Sequence, residues 1–417
     1  MAIDFNSSIK INGFDIAADG IVIKMLVIKN WFFDVVPRLE MVLNDPNDVL
    51  FNLYPIQDDS EFEIEINKNS NPDKQKETKI LKFSVLDWES GSIISGLNGG
   101  HAHAITGYLK VDNLFFPNVT KSFKQKSSSE VIEEITNDLG LTYVKNFSNN
   151  TRDVMNWLQV GKNNHDMLNY VNERSFLSED DTTLLFVNLD NELIHTSLKT
   201  ETEKEVAYIG KLSQTEQGSD SQENFDDVIE TNGELKDTPI FYYGAISNRT
   251  FGSRNKFLTY NTKTTYYDGS NHIENDVGNG NGDKLLNKLS QRNKDNIDKE
   301  VAQFEFGILN GGENFSQGVH SEFYNSQVRH KYTIMNFFKN QVNVKIKGNS
   351  LIKLMDIVEL KINASSDRMI NETHSGKYIV GGIIHTLGEE TEYSVELVLY
   401  RSGINKPSFD SENLVVE

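Results

Sequence analysis

A mainly β protein with an α/β insert, in short an α+β chain, is the fold class that the sequence predicts. The expectation is two small β-barrel domains, a small α/β domain and a loop-rich peripheral domain. Three observations carry it. FEIEIN (61–66) and VNVKIKG (342–348) alternate apolar and polar residues with the period of a strand that has one buried face. From about residue 120 the apolar spacing becomes helical. Two long stretches, 211–238 and 266–300, are polar and glycine-bearing, the composition of linkers or loops.

Each element follows in chain order. RLEMVLNDP reads as a strand that stops at the Asp45-Pro46 turn. In FEIEIN, Phe62, Ile64 and Ile66 oppose Glu61, Glu63 and Glu65, and NKNSNPDKQKE (67–77) is the tip of the hairpin that follows. ITGYLKV sets Ile105, Leu109 and Val111 on one side. SSSEVIEEITNDLG places Ser127 and Glu130 in capping-box spacing, lines Val131, Ile132, Ile135 and Leu139 along one face, and stops at Gly140. NWLQVGKNNHDMLNYVNERSF (156–176) predicts a second helix, capped by Asn163 or Asn164 and buried through Met167, Leu168 and Val171. Glu173 and Arg174, adjacent on that helix, are not expected to face each other. TTLLFVNLDNELIHTSL is a hairpin turning near Asp190-Asn191. From Gln317 to Phe338, Phe323, Tyr324, Val328, Tyr332, Met335 and Phe338 recur at helical spacing. LMDIVELKI, GKYIVGGIIHTL and YSVELVLYR are the closing strands.

These patterns divide the chain. Residues 1–117 form a first barrel and 118–210 the α/β insert; 211–260 hold a linker and the first part of a second barrel. Residues 261–330 are a peripheral loop and helix region, 331–402 the second barrel and 403–417 a tail. A barrel on each side of an insert implies an internal duplication.

Bulk properties exclude several function classes. The 37% hydrophobic content suits a folded, soluble chain, and no apolar run approaches the roughly 20 residues that span a bilayer. MAIDFNSS lacks the basic-then-apolar order of a signal peptide. With no cysteine, disulfides and thiolate chemistry are absent, which fits assembly in a reducing cytoplasm. A formal charge of -20 argues against a nucleic-acid binder, which needs lysine and arginine to displace counterions from phosphates.

Candidate chemistry is sparse. His101 and His103 form an H-x-H pair that could serve zinc, but no nearby acid is spaced to add a ligand. DVGNGNGDKLLN (276–287) lacks the Ser or Thr after Lys284 that a phosphate loop requires. Glu133-Glu134, Asp180-Asp181 and Glu389-Glu390 read as solvated pairs rather than hydrolase acids. Trp157 and His385 read as structural, the indole N–H bonded nearby and the imidazole ending an apolar strand. No catalytic residue, metal ligand or cofactor site is predicted, and the chain does not read as an enzyme.

Four stretches, in order, resemble a known family. RLEMVLNDPNDVLFNLYPIQDDSEFEIEI, then SSSEVIEEITNDLGL with NWLQVGKNNHDMLNYVNERSF, then LLFVNLDNELIHTSL, and finally KGNSLIKLMDIVELKI with GKYIVGGIIHTLGEETEYSVELVLYR are similar to the baseplate central hub proteins of contractile-tailed phages. That family also includes the N-terminal part of type VI secretion spike proteins. The likeness covers about half of the chain, and 211–238 and 266–300 have no counterpart in it. It implies tube-type barrels and a homotrimer forming a pseudo-sixfold ring in the virion, assembled in the host cytoplasm. It further implies a tail tube protein, a central spike protein and baseplate wedge proteins as partners, and DNA passing through the lumen without specific binding. A tail-associated cell-wall hydrolase and a receptor- or glycan-binding module are the competing classes.

Overall fold

The structure, a computed structural model, describes residues 7–16, 20–57, 60–68, 77–92, 100–178, 181–213, 240–243, 261–267, 272–276, 302–308, 340–347, 352–363, 375–388 and 394–401, with isolated positions between 320 and 338. The chain opens on a hairpin, β1 (Ser7–Ile11) and β2 (Phe14–Asp15), turned at Asn12-Gly13 with φ of 50° and 87°. Positive φ at both positions is the two-residue turn whose twist matches the strands, and Asn-Gly tolerates it best. β3 (Val22–Trp31) and β4 (Arg38–Asp45) follow, and the buried Asp45 carboxylate accepts the Leu50 N–H at 2.8 Å to start the short helix α1 (Val49–Asn52). β5 (Glu61–Lys68) and β6 (Glu77–Ser92) pair up to Lys68↔Glu77, so the polar stretch between them joins a hairpin as expected. Phe62 and Ile64 are fully buried, and their glutamate neighbours are not. β7 (His101–Leu109) lies between β4 and β6, and its ladder ends before Val111.

The insert begins with β8 (Val119–Lys126) and α2 (Ser128–Asp138). The capping box forms: Ser127 accepts the Glu130 N–H, and the Glu130 carboxylate accepts the Ser127 N–H at 2.8 Å. Val131, Ile132 and Ile135 are buried, and Gly140 takes φ 70° at the stop. Because the cap satisfies N–H groups that a helix start leaves open, Ser127→Ala should cost about 1 kcal/mol, read as a lower urea midpoint. β9 (Thr142–Asn146), β10 (Met155–Lys162) and α3 (Asn164–Glu173) come next, with Asn163 capping α3 through the Asp166 N–H at 2.8 Å. β11 (Thr183–Val187) and β12 (Glu192–Ser197) form the hairpin, turned where Asn191 has φ 58°, and α4 (Leu198–Thr202) follows. β12 also pairs in parallel with β9.

β11 is buried along its whole length, as the apolar run LLFV demands, and the buried Thr183 hydroxyl donates to Asn172 Oδ1 at 2.8 Å. Its two faces serve two cores. Leu185 and Val187 join the core built on β1 to β7, α2 and α3, while Leu184 and Phe186 join the core of the C-terminal strands.

β13 (Val206–Ser213) runs into the stretch expected to be linker from 211, and pairs in parallel with β19. After β14 (Ile240–Tyr243), three strands, β15 (Asn261–Tyr267), β16 (His272–Asp276) and β17 (Ala302–Ile308), make a separate sheet, so part of the polar stretch expected to be loop is β structure. The three threonines and two tyrosines of NTKTTYY supply the β-branched and aromatic residues that strands favour. In the segment of helical spacing, Phe323 and Phe338 are buried, with helical bonds from Ser326 N to Glu322 O and from Phe338 N to Ile334 O; Tyr324, Val328, Tyr332 and Met335 lie outside the described residues. β18 (Asn340–Lys347), β19 (Ile357–Asn363), β20 (Gly376–Gly388) and β21 (Ser394–Arg401) end the chain's described part.

The large sheet differs from the two barrels expected. Thirteen strands form one sheet, in the order β14-β18-β21-β20-β3-β4-β7-β6-β5-β1-β2, with β19 and β13 branching from β20. Among the described residues it is open. The cause is β20, which is long enough for two partners on one edge: Gly376–Ile379 pair with β19, and Gly382–Gly388 pair with β3. The first and last parts of the chain therefore share a strand ladder, a long-range pairing that alternation alone leaves unspecified.

Candidate functional site

At the seam, β20 changes partner through a bulge between Val380 and Gly382. Gly381 sits in it, and its carbonyl accepts the Phe32 N–H at 3.1 Å. A Cβ there would lie 2.4 Å from Tyr400 Cδ2 and 3.1 Å from Phe32 Cε1. Phe32, Phe33, Phe338 and Tyr400 pack around this point, with Phe32 and Phe338 ring centres 4.1 Å apart. Burial pushes the Tyr400 hydroxyl up to about 12.

Beside the seam lies a cavity of about 460 Å³ between the large sheet, the β11-β12 hairpin and the loop before β19. Asn30 and Ile383, cross-strand partners, form one wall with His385; Glu201 and Lys204, paired with each other, stand on another. Asn30 is 5% exposed, and its Oδ1 has no hydrogen-bond partner among the described residues. Asp356 lies in the loop wall, its Oδ2 accepting the Lys353 N–H at 2.8 Å, and burial raises its carboxyl above the usual range. His385, singled out from sequence as a structural residue, is nearly buried on β20 and lines this cavity.

The histidine pair has a different setting. His101 and His103 share one face of β7, and two acids do approach them, contrary to the expectation from sequence: His101 Nδ1 is 2.6 Å from Asp48 Oδ1, and His103 Nε2 is 3.6 Å from Asp45 Oδ2. Asp45 ends β4 and Asp48 lies in the turn after it, both more than fifty residues away, so local spacing could not show them. His103 Nδ1 accepts the Trp88 indole N–H at 3.0 Å, and Phe51 packs against both imidazoles. Burial lowers the pKa of His103 and favours the neutral ring. The cluster clamps the end of β4 to β6 and β7; among the described residues, no group of three or more His, Asp and Glu could hold a metal ion.

In the stretch 156–176, Trp157 is fully buried and donates its indole N–H to the Lys126 carbonyl at 2.9 Å. His165 lies off the buried face, 3.1 Å from Asp166 Oδ1. Glu173 and Arg174 do meet, at 3.4 Å, against expectation. The helix ends at Glu173, and Arg174, at φ -106° and ψ 3°, turns back so that its guanidinium lies 4.0 Å over the Tyr170 ring. Of the acidic pairs, Glu134 binds Lys121 at 2.9 Å and Lys126, and Asp181 accepts the Thr182 and Lys199 N–H groups. Asp180, Glu389, Glu390 and residues 277–287 lie outside the described residues.

His195 is a buried base that sequence reasoning passed over. It sits on β12, fully enclosed, with Nδ1 2.8 Å from the Tyr143 hydroxyl and Phe147 edge-on at 4.9 Å. Burial lowers its pKa from 6.5 to about 3. The unfolded chain binds this proton below pH 6.5 and the folded chain does not, so stability falls as pH drops from about 6.5 towards 3. The melting temperature should decline across that window, and His195→Phe, which has no proton to take up, should flatten the decline; an unchanged slope would remove His195 as a cause. His103 and His320, also lowered by burial, act in the same direction and contribute to the slope that remains.

No family model matches the sequence, and no curated protein matches it. Solved structures do. A tail protein from Neisseria meningitidis MC58 superposes with a TM-score of 0.55 at 9% identity, over 96% of this chain and 97% of its own. This chain has a tail-protein fold. The 43 kDa tail protein of prophage MuSo2 from Shewanella oneidensis agrees, with a TM-score of 0.52 at 11% identity and the same coverage, 96% and 97%. An Escherichia coli component of the type VI secretion system scores 0.43 at 7% identity, over 96% of this chain and 79% of its own. Among the described residues this chain is mostly β, built on the large open sheet, and no helix is long and apolar enough to cross a membrane.

Proposed function

We propose that this chain is a structural hub of a phage tail baseplate or related contractile injection machine, assembling as a homotrimer whose ring has pseudo-sixfold symmetry. The observation that carries this reading is the likeness to two tail proteins over nearly the whole length of both partners, together with a sheet in which the first and last parts of the chain lie side by side. Three copies of a chain that contributes two adjacent sheet regions present six. Such a ring would join a hexameric tail tube protein to a trimeric central spike and meet baseplate wedge proteins at its rim. Net acidity suits a bore through which DNA passes, because phosphates are repelled by it. Its place would be the virion tail, after assembly in the host cytoplasm, and its role scaffolding rather than catalysis.

Native mass measurement with negative-stain imaging tests the reading, alone and with the cognate spike. A trimeric ring is the expected result. A monomer under both conditions would overturn it, as would clearing of peptidoglycan by the purified chain, which is the result a tail-associated hydrolase would produce.

A further inference from the structure

The cavity beside the seam is not used by the hub reading, and its walls have a definite chemistry. Its volume, about 460 Å³, lies within the roughly 300–1,000 Å³ typical of small-molecule sites. Leu189, Ile194, Ile352 and Ile383 give it an aliphatic lining, and four carboxylates, Asp190, Glu192, Glu201 and Asp356, face two lysines, Lys204 and Lys353. Lys204 is already paired with Glu201, so the balance facing the cavity is acidic. Acidity alone would mean little. The second observation is Asn30, whose side-chain oxygen is buried in the wall with nothing among the described residues donating to it. A buried acceptor without a donor costs about 1–3 kcal/mol, which a bound donor would recover.

We propose that this cavity binds a small aliphatic amine, a primary ammonium on a short hydrocarbon stem, with Asn30 Oδ1 and the Asp356 carboxylate receiving the ammonium and the aliphatic wall receiving the stem. An ammonium supplies three donors and one positive charge, and no acceptor that the carboxylates would repel. An anion meets the wrong sign of charge. A metal ion lacks its ligands, since the described residues contain no group of three or more His, Asp and Glu arranged to hold one. A raised Asp356 pKa fits the same arrangement, because a cation beside a desolvated carboxylate restores its charged form.

Isothermal titration of the full chain with 1,5-diaminopentane, against 1,5-pentanediol as the uncharged control, tests this. Saturable binding of one diamine per chain is expected, with none of the diol. Asn30→Leu and Asp356→Asn should each weaken the diamine at least tenfold while circular dichroism and melting stay near wild type; should one variant fail to fold, the other decides. Absence of saturable diamine binding overturns the proposal. So does diol binding of equal strength, or diamine binding that neither folded variant weakens, since the amine would then sit elsewhere on the acidic surface. None of these results depends on whether the chain forms a ring.

Discussion

Replacing Trp157 by alanine should cost about 3–5 kcal/mol, the range for truncating a fully buried large aromatic residue. Trp157 joins β8 and α3 of the insert to the segment that holds His320 and Phe323. On β10 it pairs across to Phe123 of β8, and its indole donates to the Lys126 carbonyl at the end of that strand. Tyr170 of α3 meets its ring edge-on, with planes at 90°, and Phe323 and His320 pack 6.3 and 6.2 Å from its centre. Alanine would leave a cavity bounded by all three and remove the hydrogen bond to the Lys126 carbonyl. Urea denaturation measures the loss, and Trp157→Phe separates its causes: phenylalanine keeps most of the packing and forfeits the N–H, so about 1–2 kcal/mol is expected there. If alanine costs no more than phenylalanine, the ring is not the keystone inferred here.

That tryptophan shows what a sequence can disclose. Elements whose signals are local were readable: the Ser127 capping box, the Asn163 cap, the Met167-Leu168-Val171 face and the 183–197 hairpin all appear where the periodicity places them. Each rests on residues within a few positions of one another, where backbone geometry alone decides who meets whom. The Asn12-Gly13 hairpin carries an equally local signal.

Contacts assembled from distant segments were hidden. Asp153 accepts the Ser128 N–H at 2.8 Å, the Ser128 hydroxyl at 2.6 Å and the Phe176 N–H at 2.8 Å, tying the start of α2 to the chain beyond α3. Nothing beside Asp153 in sequence announces it. The seam cavity is hidden for the same reason, since Asn30, Glu201, Asp356 and His385 come from four elements spread over most of the chain. Two barrels were inferred because alternation locates strands without naming their partners. Which edge β3 would choose depends on β20, about 350 residues later.

That choice gives the second large expectation. Gly381→Ala should destabilise the chain by about 3 kcal/mol, at the upper end of the cost of overfilling a packed core. The new methyl would stand 2.4 Å from Tyr400 Cδ2 and 2.6 Å from Cε2, well inside contact distance. Tyr400 has little room to retreat: it is 5% exposed and edge-on to Phe32, Phe33 and Phe338, with ring centres 5.5 to 6.3 Å away. Backbone movement is no easier, because Val380 N–H donates to the Asp356 carbonyl beside β19 and the Gly381 carbonyl accepts from Phe32 beside β3, holding the bulge from both sides of the partner change. A double-mutant cycle isolates the clash. Tyr400→Ala alone should cost about 3–5 kcal/mol through the cavity it leaves. Adding Gly381→Ala to that variant should cost at least about 1 kcal/mol less than it does in the wild type, since the methyl then enters vacated space. Strict additivity would mean that the glycine is needed for some reason other than this contact. A positive coupling would locate the strain where β20 passes from β19 to β3, the point at which the two ends of the chain enter one sheet.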